Sequence, residues 1–557
     1  MTDSASVTET ALTRRVLAGL PSWPVGIWLV LVVGGLAARP LLAPTEAQVL
    51  SVAWEMWRDG TALPRLNGVS LTGQPPLLYW LICGAWALFG VGESVARLVA
   101  PLFGLGALMM VAPLARLLWP DRGTAARLAA ILLAGTGGFA AYSAMSLIAL
   151  PVTFFAVLGT YGLALAWRDR PLGWLVYGVA LGLAVLVGGS GPALLLLGPA
   201  LAAPLWRGGR GGWAGWYAGF AVACFVGVAI ALAWIVPALE SGATPASLLL
   251  DPPPLAVDFG ESPRPAYCLA VAFALALYPW LLWRTLWRAV RLGAQAWREP
   301  GMRLSLTAAG AALVAVAANW REAEGLLPLL PPLALAGARL LDSGGRRPQD
   351  FHALLPGLLA LLVGLICFLL NIVPVAHLDA VWREFISDRG LPIWLGGISL
   401  ASGLLLLGGS YLLAQMAPTA LVSRTVQLAL LPALMISALN LEFAISLRDF
   451  FDLGRVAEQI HRLQAAGRPV AIYGDYGGEF GFPGRLEEPL TPLPSPAAAI
   501  GWAAENPTGV VLSSFQGGVL HMPAEPIYLG EVVDTWAALW SAEAVIRTEG
   551  AVLRRRF

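Results

Sequence analysis

Arg97 stands a few residues inside a long apolar run, where a guanidinium is costly in lipid and needs an anion beside it. That anion is either a phosphate group of a ligand or an internal carboxylate, Glu46 or Glu93. Arg65, in the stretch Pro64-Arg-Leu-Asn-Gly68, adds a second cation to the connector that precedes the run. Loop arginines of this kind are either solvated or bound to an anion. A second cluster, Arg321, Glu322 and Glu324, shares one short connector. It reads either as a solvated cap on helix ends or as a phosphate-binding and acid/base set. Asp251, Asp258 and Glu261 flank Pro252-Pro253-Pro254 on a longer connector, which is either an ordinary surface loop or a lid over a lipid groove.

Other reactive residue types carry little. Cys83, Cys224, Cys268 and Cys367 sit singly in apolar runs, which points to core packing and against a disulfide framework or metal cluster. His461 and His521 lack partners at metal-ligand spacing and read as surface residues. The run Gly474-Asp-Tyr-Gly-Gly-Glu479 follows a strand but lacks the GxGxxG spacing of a phosphate loop, so it reads as a turn. No cofactor is called for, and the involvement of a metal is left open.

The elements that position these residues are set by composition. The 557-residue chain is 58% hydrophobic and only 12% charged, against about a quarter charged in soluble domains. Apolar runs of roughly 20 residues recur from position 23 to about 446, each long enough to cross a bilayer. The chain is therefore expected to be a polytopic α-helical membrane protein. Its net charge of +1 and lack of basic blocks argue against a nucleic-acid partner.

All 35 basic side chains are arginine, and they concentrate in connectors at 14–15, 115–127, 167–171, 206–212, 284–303, 342–350 and 424. Placing these on the cytoplasmic side gives about thirteen spans. They fall near 23–42, 95–117, 124–143, 149–167, 172–188, 191–206, 213–237, 266–287, 303–319, 325–341, 353–375, 391–414 and 425–446. The N-terminus is then cytoplasmic and the tail lies on the far side. The count closes only if Pro75–Gly90 does not cross. Pro75-Pro76 fixes a turned entry to that segment, which is expected to lie along the membrane surface and close an external loop at about 42–94. Residues 447–557 are expected to form a separate α/β unit. Helical spacing marks 452–467 and 494–506, and buried strands are expected at 469–476 and 509–515.

At 44–98 the sequence reads PTEAQVLSVAWEMWRDGTALPRLNGVSLTGQPPLLYWLICGAWALFGVGESVARL. This closely resembles the bacterial aminoarabinose-transferase type of membrane glycosyltransferase, part of the GT-C fold class that also includes the protein O-mannosyltransferases. LPVTFF (150–155), SGPALLLL (190–197), YPWLL (278–282) and LLPLLPPLALA (326–336) extend the resemblance along the chain. It implies a GT-C transmembrane domain over 1–446, with interfacial helices in its first periplasmic loop, and a small periplasmic domain over 447–557. It also implies a multi-pass protein of the bacterial inner membrane. The activity implied is transfer of a sugar from a polyprenyl-phosphate carrier to a lipid or envelope-glycan acceptor, with membrane lipids as surroundings.

Carried onto this chain, the resemblance implies a general base at the Asp-Glu pair, where Thr45 replaces the Asp and Glu46 serves as base if the loop rotates it into the Asp's place. It implies Thr45, Arg65, Gln74, Arg97, Arg321 and Glu324 as substrate-binding positions. Several family charges are replaced: Thr45 stands for an Asp, Gln74 for a Lys before the double proline, Ala149 for an Asp and Ser190 for a Lys. In the Arg321–Gly325 connector Arg321 stands for a Lys and Gly325 for a Tyr. A positioned base contributes about 10²–10⁴-fold, and a charge-assisted hydrogen bond to phosphate about 1.5–3 kcal/mol. Two functions follow as expectations: a glycosyltransferase with relocated acidic chemistry, or a catalytically silent relative that binds the carrier lipid or a partner. A transporter is disfavoured, because no ionisable pathway runs through the spans.

Overall fold

A computed structural model of the chain describes residues 22–42, 45–145, 147–208, 212–244, 248, 266–318, 323–343, 354–372, 399–415, 420–515, 524–532 and 535–553. Most of them are helical. Helix α1 is Ser22–Ala38 and α2 is Thr45–Asp59. A two-residue-stranded hairpin follows, β1 (Arg65–Leu66) with β2 (Val69–Ser70). Then come α3 (Leu77–Phe89), α4 (Glu93–Leu118), α5 (Gly123–Ala134), α6 (Ala149–Trp167), α7 (Leu172–Gly188), α8 (Ser190–Leu201) and α9 (Trp213–Glu240). The bundle continues with α10 (Ala266–Ala276), α11 (Arg284–Leu292), α12 (Pro300–Ala318), α13 (Leu330–Ser343), α14 (Leu354–Ile372), α15 (Leu400–Gln415) and α16 (Leu421–Glu442).

Six helical stretches among the described residues are long and apolar enough to cross a membrane: Glu93–Leu118, Ala149–Trp167, Trp213–Glu240, Pro300–Ala317, Gly325–Ser343 and Leu421–Ile445. Shorter apolar helices surround them, including α1, α5, α7 and α8. The protein is a multi-pass helical membrane protein. Exposed Leu, Val and Phe side chains such as Val222, Phe225 and Val228 on α9 are the expected surface of a bundle facing acyl chains.

Small residues set the tightest helix contacts, as expected where lipid gives apolar surface no reason to associate. Gly178 and Gly182 form a GxxxG pair on α7. A Cβ on Gly178 would stand 2.6 Å from the Ala223 carbonyl oxygen, and one on Gly182 2.7 Å from that of Gly227. Ala223 and Gly227 are the matching small pair on α9, so the two backbones touch.

Three expected spans are interrupted. The run at 124–143 divides at Gly135, where a Cβ would meet the Cα of Ala429 at 2.5 Å. Thr136 then caps a short new helix by accepting a hydrogen bond from the Phe139 amide. The run at 191–206 ends at Leu201, and Pro204 opens a separate turn, Ala203–Trp206. The run at 266–287 ends at Ala276. Pro279 brings no amide donor there, a 3₁₀ turn follows at Trp280–Leu282, and the basic helix α11 starts independently at Arg284.

The tail carries α17 (Gly454–Ala465), β3 (Val470–Tyr473), β4 (Thr491–Leu493), α18 (Pro496–Glu505), β5 (Val510–Phe515), β6 (Tyr528–Val532), β7 (Thr535–Ser541) and α19 (Ala542–Arg547). Its sheet order is β4-β3-β5-β7-β6, parallel through β4, β3 and β5 and antiparallel through β5, β7 and β6.

Candidate functional site

Among the described residues, the connector after α1 and the start of α2 hold a tight cluster of buried charge. Arg39 and Glu46 are 5% and 1% exposed. Arg39 grips Glu46 with both terminal nitrogens, Nη1 to Oε2 at 2.6 Å and Nη2 to Oε1 at 3.2 Å. Arg39 Nη2 also donates to the Ala144 carbonyl at 2.9 Å, and the Leu42 amide donates to Glu46 Oε2 at 3.3 Å. Burying such a pair is tolerable only with this degree of geometric satisfaction.

Arg97 joins the same cluster from the first turns of α4. Its Nη1 donates to the Arg39 carbonyl and to Glu93 Oε1, both at 2.9 Å. Of the alternatives open from sequence, the internal partner is therefore Glu93, at i,i+4 spacing on the same helix, and the Arg39 backbone ties Arg97 to the Glu46 pair. Arg97 is 2% exposed, yet among the described residues its Nε and Nη2 have no hydrogen-bond partner. A buried guanidinium with two unused donors is a ready acceptor site for an anion.

Gln74, one residue before the double proline, is 1% exposed, and among the described residues neither its amide nitrogen nor its oxygen has a partner. Pro75 lies against Gly189, its Cγ 3.6 Å from where a Cβ on that glycine would stand. The corner thus packs on the junction of α7 and α8, immediately before Ser190. Val152 packs against Gly188 at the same junction, and the Ala144 carbonyl held by Arg39 lies a few residues before Ala149. Thr45 and Glu46, Gln74, Ala149 and Ser190, far apart in the chain, are thereby drawn to one end of the bundle. Tyr79, fully buried on α3, leaves its hydroxyl unpartnered as well, and Gln48 on α2 its side-chain oxygen.

The corner also does what Pro75-Pro76 requires. Helix α3 starts at Leu77 directly after them and stops at Gly90, whose φ of +84° suits glycine. Its 13 residues rise about 20 Å, short of the ~30 Å hydrocarbon core. Leu78, Tyr79, Ile82 and Trp86 are buried, whereas Leu88 and Phe89 are more than three-quarters exposed.

Arg65 sits elsewhere. It donates to the Gly68 carbonyl at 2.9 Å and approaches Asp59 at 3.7 Å, closing the hairpin. The hairpin itself is held from both sides. Glu55 beneath it accepts from the Asn67 and Gly68 amides at 2.5 and 3.0 Å. Above it, Asn67 exchanges two hydrogen bonds with Leu490 of the tail, each 2.7 Å. The segment 476–490 continues this contact along α2. The Phe482 amide donates to Ser51 Oγ at 2.8 Å, and Trp54 and Arg58 donate to the Leu486 carbonyl, each at 3.0 Å. Phe482 stacks on Trp86 with rings 5.4 Å apart, and Arg485 covers Phe482 at 3.7 Å. Beside this seam burial pushes the Glu479 carboxyl up to about 7, although the Gly477 amide donates to it at 3.0 Å.

Arg321 and Glu322 lie outside the described residues, as do Asp251, Asp258 and Glu261. Glu324 falls in the 3₁₀ segment Ala323–Leu329, and its side chain is not described. Among the described residues no group of three or more His, Cys, Asp or Glu side chains is arranged to hold a metal ion. Sequence reasoning misses Arg39, which falls inside the expected span at 23–42 near its end. It also misses Asn67 and Glu55 as a structural pair.

This architecture is that of the GT-C class of membrane glycosyltransferases. Structurally the chain is similar to ArnT, the aminoarabinose transferase, from Cupriavidus metallidurans. The apo structure of ArnT aligns with a TM-score of 0.68 at 15% identity, over 96% of this chain and 99% of that one. Its structure bound to undecaprenyl phosphate aligns with a TM-score of 0.69 at 16% identity, over 93% and 97%. Residues 73–239 match the family model described as dolichyl-phosphate-mannose-protein mannosyltransferase. No curated protein matches the sequence. The chain resembles the aminoarabinose-transferase and protein-mannosyltransferase families within that fold.

Proposed function

We propose that the protein is a membrane glycosyltransferase that moves a sugar from a polyprenyl-phosphate carrier to a lipid or envelope-glycan acceptor. The reaction would occur on the face carrying the first loop and the tail domain, periplasmic in a bacterial inner membrane. The observation that carries this reading is the buried set Arg97–Arg39–Glu46, joined at its exposed edge by Glu93, with two donor nitrogens of Arg97 unused among the described residues. It lies in a fold whose relative ArnT has been solved with undecaprenyl phosphate.

In this reading the acceptor hydroxyl attacks the anomeric carbon, the bond from that carbon to the phosphate oxygen breaks, and the hydroxyl proton passes to Glu46. Arg97 receives the leaving phosphate through its free nitrogens, and the Gln74 amide donates a neutral hydrogen bond at the corner. Arg39 holds the Glu46 carboxylate in place; a carboxylate offers about four acceptor positions, so an acceptor hydroxyl competes for what the pair leaves. Thr45, at the first position of α2, directly precedes Glu46 and stays a candidate substrate contact. Arg65, engaged with the hairpin, supports the loop. Arg321 and Glu324 stay candidate substrate contacts on the resemblance alone.

A second reading rests on its own observation. Gln74 and Ser190, neutral where the resemblance implies charge, flank the Pro75–Gly189 contact, and Ala149 precedes Val152, which packs on Gly188; this favours a silent carrier-lipid binder. Purified protein in nanodiscs, supplied with a panel of undecaprenyl-phosphate sugars and a membrane-lipid acceptor extract, separates the two. Transfer by the wild type that falls about 10²–10⁴-fold in Glu46→Gln supports the enzyme and its base. Transfer unchanged in Glu46→Gln removes the base assignment. No transfer from any donor, with undecaprenyl phosphate still bound and released by Arg97→Gln, favours the silent relative.

A further inference from the structure

Helix α11 has the sequence Arg284-Thr-Leu-Trp-Arg-Ala-Val-Arg-Leu292. Arg284, Arg288 and Arg291 recur at i, i+4 and i+7 and therefore share one face, which is exposed. The rest of the helix surface is apolar or buried: Thr285 and Ala289 are buried, and Leu286 and Val290, farther round, are half-buried. Trp287 is 49% exposed, its ring fixed by a 2.7 Å hydrogen bond from Nε1 to the Leu281 carbonyl. An exposed arginine row edged by exposed Trp287 and Leu292, above an apolar face, marks a helix that lies in a membrane interface.

Beside this helix opens a lateral cleft of about 210 Å³, walled by Trp287, Val290, Trp297, Leu306, Leu333 and Gly337 among others. Its few polar wall atoms are already used. Trp280 donates to the Leu132 carbonyl, Trp297 to that of Val290 and Thr136 to that of Leu133. Such a cavity offers water no partner and a polar ligand no contact, so its occupant is hydrocarbon.

The cleft is remote from the site described above. Helix α4 has 26 residues from Glu93 to Leu118, a rise of about 39 Å. Its far end meets the same region: Trp119 packs on Gly301 at the start of α12, and Arg122 pairs with Asp342 on α13. Helix α11 packs on α13. The first-loop site and the α11 cleft are thus at opposite ends of the bundle.

We propose that this cleft and the arginine row form a binding site for an anionic glycerophospholipid of the leaflet opposite the first loop. One acyl chain fills the cleft, Trp287 marks the depth at which chain meets headgroup, and Arg284, Arg288 and Arg291 face the phosphate. The excess of positive charge on α11, which carries three arginines and no acid, is what commits the site to an anionic lipid over a zwitterionic one.

The test uses the full chain in detergent with dioleoylphosphatidylglycerol and dioleoylphosphatidylcholine as competing probes, read by native mass spectrometry. The wild type is expected to retain the phosphatidylglycerol preferentially. Replacing all three arginines (Arg284→Gln, Arg288→Gln, Arg291→Gln) should abolish the preference, a change of the order of tenfold. Leu306→Trp, which fills the cleft and leaves the arginines untouched, should reduce retention of phosphatidylglycerol by a similar factor. Equal retention of the two lipids by the wild type overturns the proposal. So does a preference that survives the arginine changes, or one that Leu306→Trp leaves intact, since the chain site would then be absent.

Discussion

The sign and partner of each buried charge decide what the first-loop site is able to do. Glu46 is held by Arg39 through two hydrogen bonds, so removing the arginine leaves a buried carboxylate without its counter-ion. Breaking a buried pair from one side costs about 3–5 kcal/mol, whereas replacing both members by apolar residues is often neutral. Arg39→Met is therefore expected to lower the melting temperature in detergent sharply. Arg39→Met combined with Glu46→Leu should recover most of the loss, and a fully additive double variant would refute the pairing. Gln74 shows the converse condition. Both of its polar atoms are buried without partners, a state that costs about 1–3 kcal/mol per group unless a ligand supplies the bonds.

At the scale of elements, the Pro64–Gly68 stretch turns out to be a clip. Asn67 and Gly68 both have positive φ, +54° and +78°, as a tight hairpin turn demands. The Asn67 side chain then reaches Leu490, 423 positions away. Asn67→Ala loses both bonds and adds strain in the left-handed region, so undocking should become easier by about 1–3 kcal/mol. Hydrogen exchange measured over residues 476–490 is the check: faster exchange there with unchanged exchange in β5 and β7 is the expected pattern. The corner at Pro75-Pro76 was legible beforehand because proline geometry is local. The breaks at Gly135 and Ala276 were less so, since hydropathy continues across them and the close approach that leaves Gly135 no room for a side chain comes from Ala429 on another helix.

For the whole molecule, the seam between the tail and the first loop means that these two parts share one end of the bundle, whichever way the chain is inserted. The arginine pattern implied the same arrangement. Glu479 makes the seam sensitive to pH. Its carboxyl is raised to about 7 by burial from an ordinary value near 4.3, so the folded state binds its proton more tightly than the unfolded chain does. The stability tied to Glu479 is complete below the ordinary value and is lost as pH rises through about 7. Protection of the 476–490 segment is thus expected to be stronger at pH 5 than at pH 8, and Glu479→Gln should flatten that difference. Tyr476 stays neutral throughout, pushed well up by burial and by Glu479.

Composition and local stereochemistry were enough to read a polytopic helical bundle, the α/β pattern of the tail and the proline corner, because apolar run length, strand and helix periodicity and φ restriction are properties of neighbouring residues. The first-loop motif was also enough to name the fold class. Partners were decided only by the tertiary structure. Arg39 takes Glu46 across a chain reversal, Arg97 takes Glu93 and the Arg39 carbonyl, Asn67 takes Leu490, and α11 separates from its expected span to border a cleft. Hydrogen bonds and ion pairs require distances near 3 Å, and in a bundle those distances are fixed by which helices meet rather than by the order in which they occur.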